Sequence, residues 1–244
     1  MNDTSIFYSI NNISFTFIKK KTMITQGYFD FFHNLSKNND RDWFNAHKKA
    51  YEKSAKEPFI ELVDKIVATL ADTEPELSLI PSKQMLFRIN RDIRFSKDKR
   101  PYKEHLSASI GRYGTKDKLY PGHYFQLGAH ESFIAGGAYF FEEKETLLRV
   151  RRYIMDNTER FSELINDENF KNHWGEIKGE KNKRMAAEFT EALEYQPLIA
   201  NTQFYWSKDI VAKEALKPDF IEILRGHFEA AQPLNEFLKE AIYI

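Results

Sequence analysis

Residues 105–139 read HLSASIGRYGTKDKLYPGHYFQLGAHESFIAGGAY. Leu106, Ala108 and Ile110 alternate with His105, Ser107 and Ser109, the period-two pattern of a strand with one apolar face. Gly111-Arg112-Tyr113-Gly114 ends that strand. Phe125, Leu127 and Ala129 predict a second strand, and Phe133 to Tyr139 a third, joined by a tight turn near His130-Glu131. Strands in succession with short connections form an antiparallel meander, not β-α-β units. Gly136-Gly137 within a strand marks a bulge or a close approach of backbone or ligand. Upstream, apolar Met85, Phe87, Ile89, Ile93 and Phe95 alternate with polar Arg88, Asn90, Asp92 and Arg94, which predicts another strand, bulged or ending near Arg91. Downstream, Phe204-Tyr205-Trp206 predicts a late strand returning to the sheet.

Helical periods flank this region. Asn39-Asp40 caps a helix carrying Trp43, His47, Ala50 and Tyr51. Pro58 stands in a first turn, followed by Phe59, Leu62, Val63, Ile66 and Leu70 at three- and four-residue spacing. After Phe141, Glu142, Glu143 and Glu145 open a helix with a stripe of Leu147, Val150 and Ile154, and Arg149, Arg151 and Arg152 complement its dipole. Further helices are expected over 158–166 and 183–195. Two closing helices are expected over 218–231 and 233–242, each beginning at a proline. The expected fold is α+β, a central, largely antiparallel sheet flanked by N-terminal and C-terminal helices, as one domain over 23–244.

Composition narrows the function. Of 244 residues, 42% are apolar and 15% aromatic, enough for a core and against wholesale disorder. Lys and Arg total 36 and Asp and Glu total 36, so the chain is not a globally basic nucleic-acid coat. It has no cysteine, which excludes disulfides, thiolate metal sites and cysteine nucleophiles. Phosphate-loop and dinucleotide glycine motifs are absent, as is a serine-nucleophile elbow. The histidines show no metal-ligand spacing, so no metal is assigned, and the cofactor is left unknown. Among the aromatics, His123-Tyr124-Phe125 and Tyr205-Trp206 offer stacking surfaces, although core packing accounts for most aromatics in a Phe-rich chain. No apolar run is long enough for a membrane span. Residues 1–22 place their basic run last, the reverse of a secretory leader. They are expected to be a non-native or disordered extension, with translation starting at Met23 and the cytoplasm as the default address.

Charge is concentrated in one place. Lys83 to His105 holds eight basic residues (Lys83, Arg88, Arg91, Arg94, Lys97, Lys99, Arg100, Lys103) against Asp92, Asp98 and Glu104. Arg88, Asp92 and Arg94 share a face in the strand reading, so Asp92 is expected to brace both guanidiniums. Planar arginine forks so held suit phosphate or carboxylate. Tyr102 and His105 follow with a hydroxyl and an imidazole fit for acid–base work.

The stretch Arg88-x-x-Arg91-Asp92-x-Arg94-Phe95-x-x-x-Lys99-x-Pro101-Tyr102-Lys103 resembles the signature of a family of uncharacterised bacterial proteins, described only as conserved hypothetical or as a domain of unknown function. Residues 38–44 and the Gly136-Gly137-Ala138-Tyr139 stretch are similar to it as well. The resemblance implies a common centre at Arg88, Arg91, Asp92, Arg94, Lys99, Pro101, Tyr102 and Lys103, and no established activity. Two functional expectations follow. The first is a binding domain for an anionic small molecule, with Arg88, Arg91, Asp92, Arg94, Lys99 and Lys103 as ligand-binding residues; a nucleic-acid backbone is the other candidate, without support from global charge. The second is an enzyme acting on a phosphate- or carboxylate-bearing substrate, with Tyr102 or His105 as the catalytic acid or base. A bland third is a stabilising ion-pair network with no ligand.

Overall fold

The structure is a computed structural model that describes residues 22–243. The extension expected at 1–22 falls, apart from Thr22, outside the described residues. Four strands form one antiparallel sheet in chain order: β1 (His105–Ile110), β2 (Gly122–Gly128), β3 (Phe133–Ala138) and β4 (Phe204–Asp209). Ala108 faces Phe125, Phe125 faces Ile134, and Ile134 faces Lys208. Because side chains alternate, this register sends Leu106, Ala108, Ile110, Phe125, Leu127, Ile134 and Trp206 into the core. His105, Ser109, Tyr124, Phe133, Ala135, Tyr205 and Ser207 fall on the opposite face.

Helices cover the apolar face. α1 (Gln26–Lys37) buries Tyr28, Phe29, Phe31, Phe32 and Leu35, and the Tyr28 hydroxyl donates to the Leu127 carbonyl at 2.9 Å. Asp40 caps α2 (Arg41–Ala46) by accepting from the Trp43 N–H at 2.8 Å. A single turn, α3 (Lys48–Ala50), and a wide turn over Tyr51–Lys56 lead into α4 (Glu57–Leu70), where Phe59, Leu62, Val63, Ile66 and Leu70 are all buried as their spacing predicts. After the meander come α5 (Lys144–Asp156), α6 (Thr158–Asn166), α7 (Glu168–Trp174), and the short α8 (Ala192–Tyr195) and α9 (Ala212–Ala215). The last helix, α10 (Phe220–Tyr243), packs against α4, α5, α7 and β3.

Three sequence expectations need correction. Residues 85–95 are not a strand. The chain leaves a tight turn at Ser82–Met85 and pairs its backbone with the sheet edge only through isolated bridges, Leu86 to Ala108 and Asn90 to Tyr102. Pro101 has no N–H to return, and beyond Arg91 the chain turns outward, leaving Phe95 96% exposed. The helix expected over 183–195 is reduced to a 3-10 turn at Ala187–Phe189 and to α8, because the chain just before it runs along β4, bridging Lys178 to Tyr205 and Lys181 to Asn201. The two closing helices are one, continuous through Pro233; Leu224, Phe228, Leu234, Phe237 and Leu238 are buried on both sides of that proline, and their packing offsets its lost hydrogen bond. Periodicity had marked neither α1 nor α7.

Candidate functional site

The loop over 88–104 is built from aspartate-held arginines. Asp92 accepts from Arg94 Nε at 3.0 Å, Nη2 at 2.7 Å and the Arg94 backbone N–H at 3.2 Å. Asp98 accepts from Arg100 Nη2 at 2.7 Å and from Arg91 Nη1 at 2.8 Å. Glu104 accepts from Arg100 Nη1 at 2.6 Å. Two-point carboxylate contacts of this kind fix the plane of a guanidinium. The hydrogen bonds from Arg94 lower Asp92 to about 2, and those from Arg100 lower Asp98 further still. Lys99 Nζ donates to the Ile93 carbonyl at 3.0 Å and so pins the loop to itself. Arg88 is exposed and has no hydrogen bond or ion pair among the described residues.

Asn39, just before α2, fastens this loop to the body. Its Nδ2 donates to the Tyr102 carbonyl at 3.0 Å and to Glu104 Oε1 at 3.2 Å, and its Oδ1 accepts from the Tyr102 N–H at 3.1 Å. The Tyr102 ring is buried and stacks on Phe44 at a centroid distance of 4.1 Å.

The predicted residues therefore sit in three settings. Arg91, Asp92, Arg94 and Lys99 occupy the exposed loop, and Tyr102 anchors its base. Lys103 and His105 lie at the sheet edge. Asp92 holds Arg94 by contact and feels Arg88 only through its charge. Lys103 Nζ lies 5.2 Å over the Phe87 ring; burial, then the Arg88 charge, lowers its pKa. Burial, then the Lys103 charge, pulls His105 down to about 4, so its imidazole is neutral at pH 7. These side chains do not converge on one pocket. Sequence marks Asp98, Arg100 and Glu104 only as members of the charged stretch and Asn39 only as a helix cap, and gives none of them a part in the site. The signal for the first two was present: Asp98-x-Arg100 repeats the spacing of Asp92-x-Arg94.

Beside the loop, the sheet face opposite the core lines a cavity of about 590 Å³. Its aromatic walls are Phe87, Tyr124, Phe133, Tyr139, Phe140 and Tyr205. Tyr124 lies 5.4 Å from Phe133 and 6.1 Å from Phe87, and Tyr139 lies 5.1 Å from Tyr205. Between the two groups the floor carries almost no side chain, because Gly122 faces Gly137 in the β2–β3 register and Ala135 lies next along β3. Gly137 has φ +95°, and a Cβ there would lie 2.3 Å from the Phe204 carbonyl. Strand alternation has divided the aromatic clusters: Tyr124 and Tyr205 face the cavity, while His123, Phe125 and Trp206 are buried in the core.

A second polar cluster lies on the core side. His123 Nε2 donates to Glu74 Oε1 at 2.6 Å, with both side chains fully buried. Oxygens of Glu74, Glu76 and Glu236 lie within 4.8 Å of one another, a spacing that would suit a metal ion. Lys239 Nζ stands among them at 3.4, 3.0 and 2.7 Å, so the cation of this cluster is an ammonium supplied by α10.

A family model described as Conserved hypothetical protein (DUF2461) matches residues 27–237. No curated protein and no solved structure matches the chain.

Proposed function

The chain belongs to the family described as Conserved hypothetical protein (DUF2461), a description that names no activity, and we propose from its geometry that it binds a phosphate- or carboxylate-bearing ligand at the 88–103 loop. The observation that carries this reading is the division of labour among the loop cations. Aspartates orient Arg91 and Arg94, whereas Arg88 is exposed, makes no hydrogen bond or ion pair among the described residues, and adds its charge to burial in lowering the Lys103 pKa. Asp92 offsets the Arg88 charge only from a distance, and an anion bound between Arg88 and Lys103 would relieve their repulsion. Inorganic pyrophosphate is expected to raise the thermal midpoint at low ionic strength, and added salt to erase the gain. Arg88→Ala, which breaks no hydrogen bond or ion pair among the described residues, should weaken pyrophosphate binding about tenfold or more while unfolding normally. Binding that ignores both salt and this substitution would overturn the reading.

One observation favours an enzyme acting on such a ligand. His105 is an imidazole kept unprotonated beside a lysine, so its lone pair is available at pH 7, although as a weaker base than an ordinary histidine. The Tyr102 hydroxyl is the other candidate group, but its ring is committed to Phe44. On a panel of phosphate monoesters and carboxylic esters, His105→Gln should abolish turnover and leave pyrophosphate binding intact, and Tyr102→Phe should keep both. No turnover by the unaltered protein, or full turnover by His105→Gln, would remove the enzymatic reading.

A further inference from the structure

The cavity on the sheet face and the cationic loop share a border, and the ring of Phe87 forms it. Phe87 lies 6.1 Å from Tyr124 on its cavity side, and Lys103 Nζ stands 5.2 Å over the same ring. We propose that the cavity receives the base of a nucleoside phosphate, with the phosphate reaching Lys103 and Arg88. This deepens the anion-binding reading and rests on it for the phosphate half.

The walls fit a planar ring. Tyr124 rises from β2 and Tyr205 from β4, with β3 between them; Tyr124 pairs through Ala135 with Ser207, so Tyr205 stands diagonally from it, about 9–10 Å away across the sheet and about 7 Å along it at the backbone, and the two rings close the slot by leaning over the bare floor. A flat ring in contact on both faces needs about 7 Å. The β3 residues in that interval are Ala135 and Gly137, and Gly122 extends the bare floor onto β2. Stacking alone is tolerant of base identity. The polar rim is not: Glu131 and Asp209 offer carboxylates, which only accept hydrogen bonds when ionised, and Ser109 and Ser207 offer hydroxyls. Carboxylate acceptors suit a base bearing an exocyclic amino group, as in adenine; uracil offers them one N3–H flanked by two carbonyl oxygens that they repel.

The dimensions and charge favour a mononucleotide over a strand. About 590 Å³ lies within the range of small-molecule sites, and Tyr139 and Phe140 wall one end. A polyanion tracking the surface would need a cationic stripe, whereas the chain is neutral overall and places Glu131 and Asp209 on the cavity rim. Among the described residues the single cation of the lining is Lys118, beside Phe140, with Asp117 near it, and the paired cations Arg88 and Lys103 stand at the Phe87 border.

Calorimetric titration of the full chain with AMP, adenosine, UMP, inorganic pyrophosphate and a short single-stranded oligoadenylate tests the proposal. AMP is expected to bind at least about tenfold tighter than adenosine, pyrophosphate or UMP. Ala135→Leu fills the slot from a half-buried position and should weaken AMP and adenosine at least about tenfold while sparing pyrophosphate. Tyr124→Leu should do the same, which keeps the test valid if one variant folds poorly. Arg88→Ala should weaken AMP and pyrophosphate and spare adenosine. Failure of AMP to bind at millimolar concentration, or AMP binding unchanged in both slot variants, overturns the proposal. Oligoadenylate binding without AMP binding overturns it in favour of single strands. A dimer in light scattering that Ala135→Leu dissolves overturns it in favour of a second copy of this chain. If pyrophosphate fails while adenosine binds and Ala135→Leu abolishes that binding, the loop reading falls and the base slot stands.

Discussion

Glu74→Gln is expected to cost about 3–5 kcal/mol of folding stability, measured by denaturant unfolding at pH 7, because it removes one partner of a buried charge network. Glu74 stands in the connection four residues beyond α4, where its carboxylate takes the His123 hydrogen bond at 2.6 Å and the Lys239 ammonium at 3.4 Å. The glutamine keeps the volume and loses the charge. It leaves Lys239, only 11% exposed in its side chain, with the more exposed Glu76 and Glu236. His123 then loses a charged acceptor, and its Nδ1 already has no partner among the described residues. The network joins α4, β2 and α10, so its loss loosens the attachment of the C-terminal helix.

The same residue sets an acid limb. Burial alone would raise the Glu74 pKa; the charges and hydrogen bonds of His123 and Lys239 overcome it and hold the carboxyl at about 2, against an ordinary 4.5. A carboxyl lowered on folding contributes stability that is complete above the unfolded value and is lost as pH falls through the folded one. Stability of the unaltered protein should therefore fall between about pH 4.5 and pH 2 more steeply than that of Glu74→Gln. Parallel slopes for the two proteins over that window would show that Glu74 does not carry the limb.

How much of this was legible in the chain depended on range. The meander was legible because strand alternation is a local signal, and Leu106, Ala108, Ile110, Phe125 and Leu127 are all buried as their spacing predicts. Alternation at 85–95 was partly informative. Met85 and Ile89 are buried, but Phe95 is exposed, since alternation reports which way side chains point and not whether a neighbouring strand supplies a ladder. The concentration of arginine was visible, but the carboxylate that holds each one depends on how the loop folds back, and Arg91 finds Asp98 rather than Asp92. Parts of the cavity were legible, Tyr124 and Tyr205 as stacking surfaces and Gly136-Gly137 as a close approach, but their assembly was not. The lining comes from four strands and four segments outside them, and only the register shows that Tyr124 and Tyr205 share a face. Glu74, His123 and Lys239 lie 49 and 165 positions apart in the pairs they form, beyond any periodicity.

Gly137→Ala is expected to cost about 3 kcal/mol or more, well beyond what its backbone angle alone explains. Gly175, which closes α7, supplies the control. The two glycines have similar φ, +95° and +81°, but a Cβ at Gly175 meets nothing within 4 Å. Gly175→Ala should therefore report the strain of its backbone conformation without a clash, about 1–2 kcal/mol. At Gly137 the added carbon would lie 2.3 Å from the Phe204 carbonyl and 2.9 Å from the Trp206 ring. Neither can retreat cheaply: Phe204 pairs with Ala138 in the β3–β4 ladder, and Trp206 is fully buried against Phe170 and Trp174. Relief would require β4 to shift, and Tyr205, a wall of the cavity, would shift with it. Unfolding midpoints of the two variants, compared at unchanged denaturant slope, separate the terms. A Gly137→Ala cost at least twice that of Gly175→Ala assigns the excess to the crowded β3–β4 contact. Equal costs would mean that the sheet yields easily at Gly137, and that the floor between Tyr124 and Tyr205 is not a rigid one.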